Sequence, residues 1–474
     1  VDSQQTQAYY QNHPTARLIV LVVVCISAFL TPLSLSGSLV AVPAMSEALH
    51  IDAIYASWIP ASFLLSNLLS MLPSGRLADT YGRKRIFILG GVIFALGSIL
   101  AGFANHLFIL LLSRVIQGIG SAMFFTTGVA IIGGVYEARQ RGAALGWLVS
   151  AVYLGLTCGP LLGGWATEHF GWQAIFLLPM PLVLAVLLLT AVVMKGEWRS
   201  TSPERLDIVG ALYMSIGIGS LFMASSRLPS WEGLGWLVAG CVFVVVFVRH
   251  CATAPSPLVR LNLVLASKPL SKALSASIMV YASNYGLIFL LSLYLQYNRG
   301  MTPVEAGKVL MVQALVMAFL APLAGRLSDR YRPRVLATLG CFSMVSGLLL
   351  LLLFLTPTTP YWVILLALIT FGLGFGLFST PNSNSVLNAV PPDKMGMASA
   401  LLNLSRLLGQ MLGTALVTLL MSLAIGKLKI TPELYGALMQ VLRWVVTVSL
   451  GFALTAAYFS WERDPKKTVH SNKS

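Results

Sequence analysis

GRLADTYGRKR at residues 75–85 and GRLSDRYRPR at residues 325–334 are nearly the same charged phrase, written twice in a chain that otherwise avoids charge. Of the 474 residues, 57% are hydrophobic and only 10% charged, and the mean hydropathy is +0.82. A soluble domain is about a quarter charged. Apolar runs here reach the roughly 20 residues that cross a hydrocarbon core, so the chain reads as a polytopic membrane protein.

Working outward from the two phrases, the apolar periodicity predicts fourteen spans. Six lie at about 17–43, 54–73, 86–104, 107–133, 140–166 and 171–194. A pair follows at about 205–227 and 231–250, then six more at about 271–297, 303–325, 333–355, 361–387, 394–424 and 437–461. The polar start and the full-length first run predict a retained span and no cleaved leader. Each phrase falls between the second and third span of a six-span block. At about 30 residues per span and loop, their separation is about eight spans, six for a repeat and two for an insertion.

The expected organisation is therefore a tail (1–16), a six-helix bundle (17–194), a linker carrying two extra spans (195–270), a second bundle (271–461) and a tail (462–474). Parallel six-helix repeats are a transporter architecture, with the substrate site near the midplane between them.

An even number of spans puts both termini on one face. The loops and termini of that face hold 23 Lys and Arg, against five on the other (Arg227, Arg299, Lys308, Lys427 and Lys429). The positive-inside rule then predicts cytoplasmic termini in the inner membrane of a cell. The same rule accounts for the net charge of +15, so no nucleic-acid partner is expected. The five cysteines are scattered without metal spacing, and no GxxxxGK[ST] loop occurs. No metal, cofactor or enzymatic activity is predicted, and ATP-driven transport is disfavoured.

Three motifs give the chain its resemblance to the major facilitator superfamily. The first is the phrase at 75–85. The second is LLLSRVIQGIGSA at 110–122, with Arg114, Gln117, Gly118 and Gly120. The third is the spacing Gly146, Gly155, Gly159-Pro160, Gly163-Gly164, which looks like the antiporter motif of drug-export branches. The span count and the stretch PNSNSVLNAVPPDKMGMASALLNLSRLLGQMLG at 381–413 resemble the fourteen-helix drug:proton antiporter family. The resemblance covers essentially the whole chain. It implies an all-α integral membrane protein with the major facilitator fold, a monomer by default, moving a small-molecule substrate by alternating access with protons as a coupling ion. Glycines in the fifth span suit a close-packed seam between the halves. Gly75, Asp79, Gly82, Arg83 and Arg85, with Gly325, Asp329 and Arg330 in the second copy, are the candidate gate, together with Gly155, Gly159, Pro160, Gly163 and Gly164.

One departure matters. The family's first span usually reads Leu-Asp-x-Thr-Ile-Val-Asn-Val-Ala-Leu-Pro, whereas this chain has LSLSGSLVAVP at 33–43. Ser34 stands in place of the acid and Leu39 in place of the asparagine. Every Asp and Glu in the chain falls in a loop, a tail or a predicted helix end, so proton coupling lacks its usual carrier. The charge inside the spans is positive: Arg114, Arg406 and Arg443. Candidate substrate-binding residues are Ser34 and Ser38 on one face of the first span, Arg114 and Gln117, and the cluster Tyr281, Asn284 and Tyr285. Gln313, Asn382 and the one-face set Asn403, Arg406 and Gln410 complete them. The competing reading of these polar groups is helix–helix glue. Three functions follow as expectations: export of amphipathic drugs or toxic compounds, export of an anionic self-made metabolite such as a siderophore or organic acid, or a non-transporting membrane sensor or scaffold.

Overall fold

The computed structural model describes residues 9–136, 138–199, 206–390 and 395–462. Among the described residues, fourteen helices are long and apolar enough to cross a membrane. The first block is α1 (Pro14–Ala48), α2 (Ala53–Tyr81), α3 (Arg83–Gly102), α4 (Leu107–Val135), α5 (Ala138–Phe170) and α6 (Ala174–Val193). The pair is α7 (Ile208–Arg227) and α8 (Trp231–Thr253). The second block is α9 (Lys268–Leu293), which runs on through a π turn at Tyr294–Asn298, α10 (Pro303–Arg330), α11 (Pro333–Phe354), α12 (Tyr361–Asn388), α13 (Met395–Ala424) and α14 (Tyr435–Trp461). The start of α1 and the end of α14 share one face of the molecule, called here the terminal face; the other is the far face.

Local chemistry sets several ends. The Asp52 carboxylate accepts the Tyr55 N–H at the start of α2, and Thr302 with Glu305 forms a reciprocal capping box at the start of α10. α2 stops at Gly82, whose φ of +113° is open to glycine and strained for other residues. Prolines at 32, 43, 60, 73, 160, 322 and 381 lie inside helices without ending them. Inside a packed bundle, neighbouring helices and local adjustments re-satisfy the groups a proline frees.

At the two charged phrases the helix ends differ from the sequence-based expectation. α2 runs to Tyr81 rather than 73, and α10 to Arg330 rather than 325. The GRLAD and GRLSD phrases are therefore last helical turns, not loops. Hydropathy marked where the apolar run ended; the backbone hydrogen bonds continue about two turns further in α2 and about one and a half in α10.

The packing repeats helix for helix. α1 lies on α5 as α9 lies on α13, α2 on α4 as α10 on α12, α3 on α4 as α11 on α12, and α1 on α6 as α9 on α14. The phrases themselves sit in equivalent surroundings. A Cβ on Gly75 would stand 3.3 Å from Thr126 of α4, and one on Gly325 3.6 Å from Thr380 of α12. Each threonine hydroxyl points at the carbonyl four residues before its glycine, Met71 at 3.4 Å and Ala321 at 3.5 Å.

The blocks meet along α5 against α10, α2 against α13 and α1 against α9. α7 covers the α2–α13 seam: Phe222 packs 5.5 Å from Trp58, and the Ser422 hydroxyl donates to the carbonyls of Ser226 and Leu228. α8 packs mainly on α7 and leaves Trp231, Trp236, Val238 and Val245 exposed. Asp207 ties the pair down. It caps α7 through Gly210 N–H, lies 2.8 Å from His250 Nε2 at the end of α8, and accepts Leu258 N–H from the connector to α9. Burial alone would raise its pKa; these partners outweigh it and hold the carboxyl below its ordinary value.

Candidate central cavity and gate

Apart from a wider cavity of about 530 Å³ at the far face, lined by Glu47, Asp52, Gln296, Tyr297, Lys429 and Tyr435, two adjoining cavities lie between the blocks. The larger, about 150 Å³, is lined by α1, α2, α4 and α5 on one side and by Tyr281, Asn403, Arg406 and Gln410 on the other. The smaller, about 80 Å³, takes Asn284, Tyr285, Gln313 and Phe375 from the second block and shares Leu35, Leu156, Tyr281 and Gln410 with the first. Seven of the predicted binding residues, Tyr281, Asn284, Tyr285, Gln313, Asn403, Arg406 and Gln410, are thus brought together by α9, α10 and α13. Arg406 is the one charged residue among them. It donates to the Ser383 hydroxyl at 2.8 Å and to Asn403 Oδ1 at 3.3 Å, and its guanidinium lies 5.6 Å from the centre of the Tyr281 ring.

The other five predicted residues line neither cavity. Arg114 is fully buried in a closed cluster. It donates to the Ile59 carbonyl at 3.3 Å, Gln117 Oε1 at 2.8 Å and Ser38 at 3.3 Å, with a longer contact to Ser34 at 3.5 Å. Gln117 passes the chain on to Ser98 at 2.8 Å, and the guanidinium lies over Phe63 at 4.4 Å. The cluster stitches α1, α2, α3 and α4 together. Asn382 joins α12 to α9 through Ser277 at 2.7 Å and the Ala273 carbonyl. Such groups satisfy one another because no water can do it for them. Arg443 is likewise spent on the Leu355 carbonyl at 2.9 Å.

Sequence reasoning missed Tyr153 and Asn67. The Tyr153 hydroxyl, buried in α5, donates to the Ser379 hydroxyl of α12 at 2.8 Å and bridges the two blocks. Asn67 lines the larger cavity and donates to Ser121 at 2.8 Å. Neither stands in a motif; only their position on cavity-facing helices marks them.

On the far face the blocks are closed against each other. Ser57 and Thr418 hydroxyls meet at 2.8 Å, Gln296 donates to the Val40 carbonyl at 2.9 Å, Ser292 to Leu39 at 3.2 Å, and Ala53 N–H to Leu428 at 3.1 Å. The Glu168 carboxylate accepts Val304 N–H at 3.2 Å.

The α5 glycines divide in a way the sequence reading did not foresee. Gly155, Gly159 and Gly163 lie four apart on one face and seat α1 within the first block: Gly155 meets the Phe29 carbonyl, Gly159 meets Ser36, and Gly163 meets Gly37. Only Gly164 reaches across, against Pro303 of α10, and the Pro160 carbonyl meets Gly307 in return. The close seam that α5 makes between the halves is therefore Pro160–Gly164 on Pro303–Gly307; Gly155, Gly159 and Gly163 pack a bundle internally, and a Cβ on Gly146 would meet nothing within 4 Å.

At the terminal face, Arg83 bridges Gly82 to reach Asp79 at 3.2 Å and also donates to the Ala130 carbonyl of α4 at 2.9 Å. Glu197, from the segment after α6, accepts the Lys84 N–H at 2.8 Å at the start of α3 and lies 3.8 Å from the exposed Arg85. A Cβ on Gly82 would collide with its carboxylate. In the second copy Arg330 is exposed, Ser328 accepts from Asn384 at 2.7 Å, and the side chain of Asp329 lies outside the described residues.

The repeat of packing, the charged turn in each half and the cavity between them agree with a sequence comparison: the profile of the Major Facilitator Superfamily matches residues 24–414. The chain belongs to the major facilitator superfamily. Among relatives, the riboflavin transporter RibZ of Clostridioides difficile (strain 630) is 30% identical over 401 residues, covering 84% of this chain and 86% of that one. The multidrug resistance protein Stp of Mycobacterium tuberculosis (strain CDC 1551 / Oshkosh) is 28% identical, over 80% and 71% of the two chains. The tetracenomycin C resistance and export protein of Streptomyces glaucescens is 26% identical, over 83% and 74%. Among solved structures, a bacterial homologue of the human lysosomal transporter Spinster in an inward-facing, unoccupied conformation superposes with a TM-score of 0.67 at 20% identity, over 94% of this chain and 96% of that one. At that identity the likeness is one of fold. As a member of the superfamily the chain is a multi-pass membrane protein and a secondary transporter.

Proposed function

We propose that this transporter exports an amphipathic small molecule across the cytoplasmic membrane by rocking its two six-helix bundles about the central cavity. The supporting observation is the cavity itself: aromatic and amide side chains from both bundles converge on it while the far face is closed. With the termini in the cytoplasm, this is the state closed to the outside. Multidrug and tetracenomycin exporters among the relatives agree with export.

Arg406 favours a second reading, export of an anionic metabolite. Among the described residues no Asp, Glu or His lines either cavity, so an organic cation finds no counter-charge there. Proton coupling, if it operates, must use groups other than a midplane carboxylate.

Ethidium accumulation in efflux-deficient cells tests the first reading, with wild type, Arg406→Ala and an added uncoupler compared. Wild-type exclusion that collapses with the uncoupler supports a proton-coupled drug exporter. Accumulation equal to empty vector, with the protein verified in the membrane, refutes export of cationic drugs and turns the search to anionic compounds in spent medium.

A further inference from the structure

Three buried polar atoms in and beside the cavities have no hydrogen-bond partner: Tyr285 Oη, Gln313 Oε1 and Arg406 Nε. Tyr285 and Gln313 are 6% and 3% exposed and lie well inside α9 and α10, away from the helix ends. A buried group left unsatisfied costs roughly 1–3 kcal/mol, and native proteins hold few of them. The two residues line the same 80 Å³ cavity.

Their chemistry is complementary. The Gln313 amide nitrogen donates to Asn284 Oδ1 at 2.6 Å and to Met317 Sδ at 3.7 Å, and its carbonyl oxygen can only accept. The Tyr285 hydroxyl can donate. Arg406 offers a cation and a free N–H at the neighbouring 150 Å³ cavity. Tyr281 and Gln410 line both cavities, and the Tyr281 ring meets Phe375 edge-on at 5.0 Å.

Building on the central cavity as the substrate site, we propose that Tyr285 and Gln313 form a deep subsite for a paired donor and acceptor group, an amide, an imide or a hydroxyl beside a carbonyl. That group is carried at one end of an aromatic molecule whose other end is anionic and pairs with Arg406. The ligand N–H or O–H meets Gln313 Oε1, its carbonyl accepts from Tyr285, and its ring lies by Tyr281 and Phe375. The substrate class is a two-ended aromatic acid, not a lipophilic cation.

The probe is a sulfonated naphthalimide, an aromatic imide with an anion at the opposite end. Its N-methyl derivative lacks the donor, and the unsulfonated parent lacks the charge. Binding to the full chain in nanodiscs is followed by fluorescence anisotropy, with size-exclusion chromatography confirming that each variant is folded. Wild type is expected to bind the N–H sulfonate saturably and to disfavour the N-methyl form by roughly tenfold, a loss of about one charge-free hydrogen bond. Gln313→Leu should shrink that preference to about twofold, whereas Tyr285→Phe, which loses the bond to the carbonyl that both forms carry, should weaken both by roughly fivefold; each should keep the preference for the sulfonate. Arg406→Gln should do the reverse.

No saturable binding to folded wild type, an N–H preference unchanged in Gln313→Leu, or an affinity for the N–H sulfonate unchanged in Tyr285→Phe overturns the proposal. Leu156→Trp separates the two levels of inference, since Leu156 lines both cavities. If it leaves binding intact, the cavity is not the site and both readings fall. If it abolishes binding while the N–H preference ignores Gln313 or the affinity ignores Tyr285, only the subsite falls.

Discussion

Replacing Arg114 by methionine should weaken the fold and leave substrate recognition alone. The side chain makes hydrogen bonds of 2.8, 3.3 and 3.3 Å to three neighbours and lies over Phe63. Side-chain hydrogen bonds inside membranes are each worth about 0.6 to 1.5 kcal/mol, and the ring contact adds about 1 kcal/mol. The gross loss is then about 3–5 kcal/mol, with Gln117 Oε1 and the Ile59 carbonyl left without that donor. Removing a buried cation relieves part of its desolvation cost. A net destabilisation of about 2 kcal/mol is expected. The assay is reversible unfolding in mixed detergent micelles beside transport kinetics in proteoliposomes. Arg114→Met should unfold earlier, with KM within about twofold of wild type for the molecules that remain folded. A KM raised tenfold or more at unchanged stability would refute the reasoning, because it would mean that Arg114 touches substrate despite its complete burial.

Three further outcomes follow from the packing. Gly163→Leu should abolish folded protein, because its Cβ would stand 2.5 Å from the Gly37 carbonyl; Gly146→Ala, with nothing within 4 Å, should match wild type in a thermal-melt and yield comparison. Ser57→Cys with Thr418→Cys, in a background without the five native cysteines, should cross-link on oxidation, since the two hydroxyls are 2.8 Å apart; transport should stop when oxidised and return on reduction, and transport that continues in the cross-linked protein would contradict opening at that face. Asp207→Ala should cost about 1–2 kcal/mol through the lost cap and partners. The depressed Asp207 pKa makes its stabilisation complete above the ordinary carboxylate value of about 3.9 and lost as pH falls through the lower folded value. The difference between wild type and variant, read by protease sensitivity of the α8–α9 connector, should therefore be full near neutrality and vanish in strong acid.

The Gly-Arg-Leu-x-Asp phrase, recurring at 75 and 325, together with the placement of the apolar spans, marked two six-helix repeats and an inserted pair. Spans are a local property: about 20 apolar residues must cross the bilayer wherever they occur. Arg406, Asn403 and Gln410 were also legible as one face, because helical periodicity alone places positions three and seven apart together.

What a buried polar side chain touches is not local, and only the packed structure decided it. Arg114 and Arg406 look alike in sequence, each on an apolar helix with an amide three residues away. One is closed off by α1, α2 and α3, while the other faces the cavity, because helices from different parts of the chain supply or withhold partners. The same holds for Gly163 and Gly164. Adjacent residues on a helix point about 100° apart, so one packs a bundle internally and the next forms the seam between bundles. Hydrophobicity, summed along the chain, determines that these helices exist and cross. Which face meets which neighbour depends on interdigitation at van der Waals range between distant segments, and that information exists only once the helices have packed.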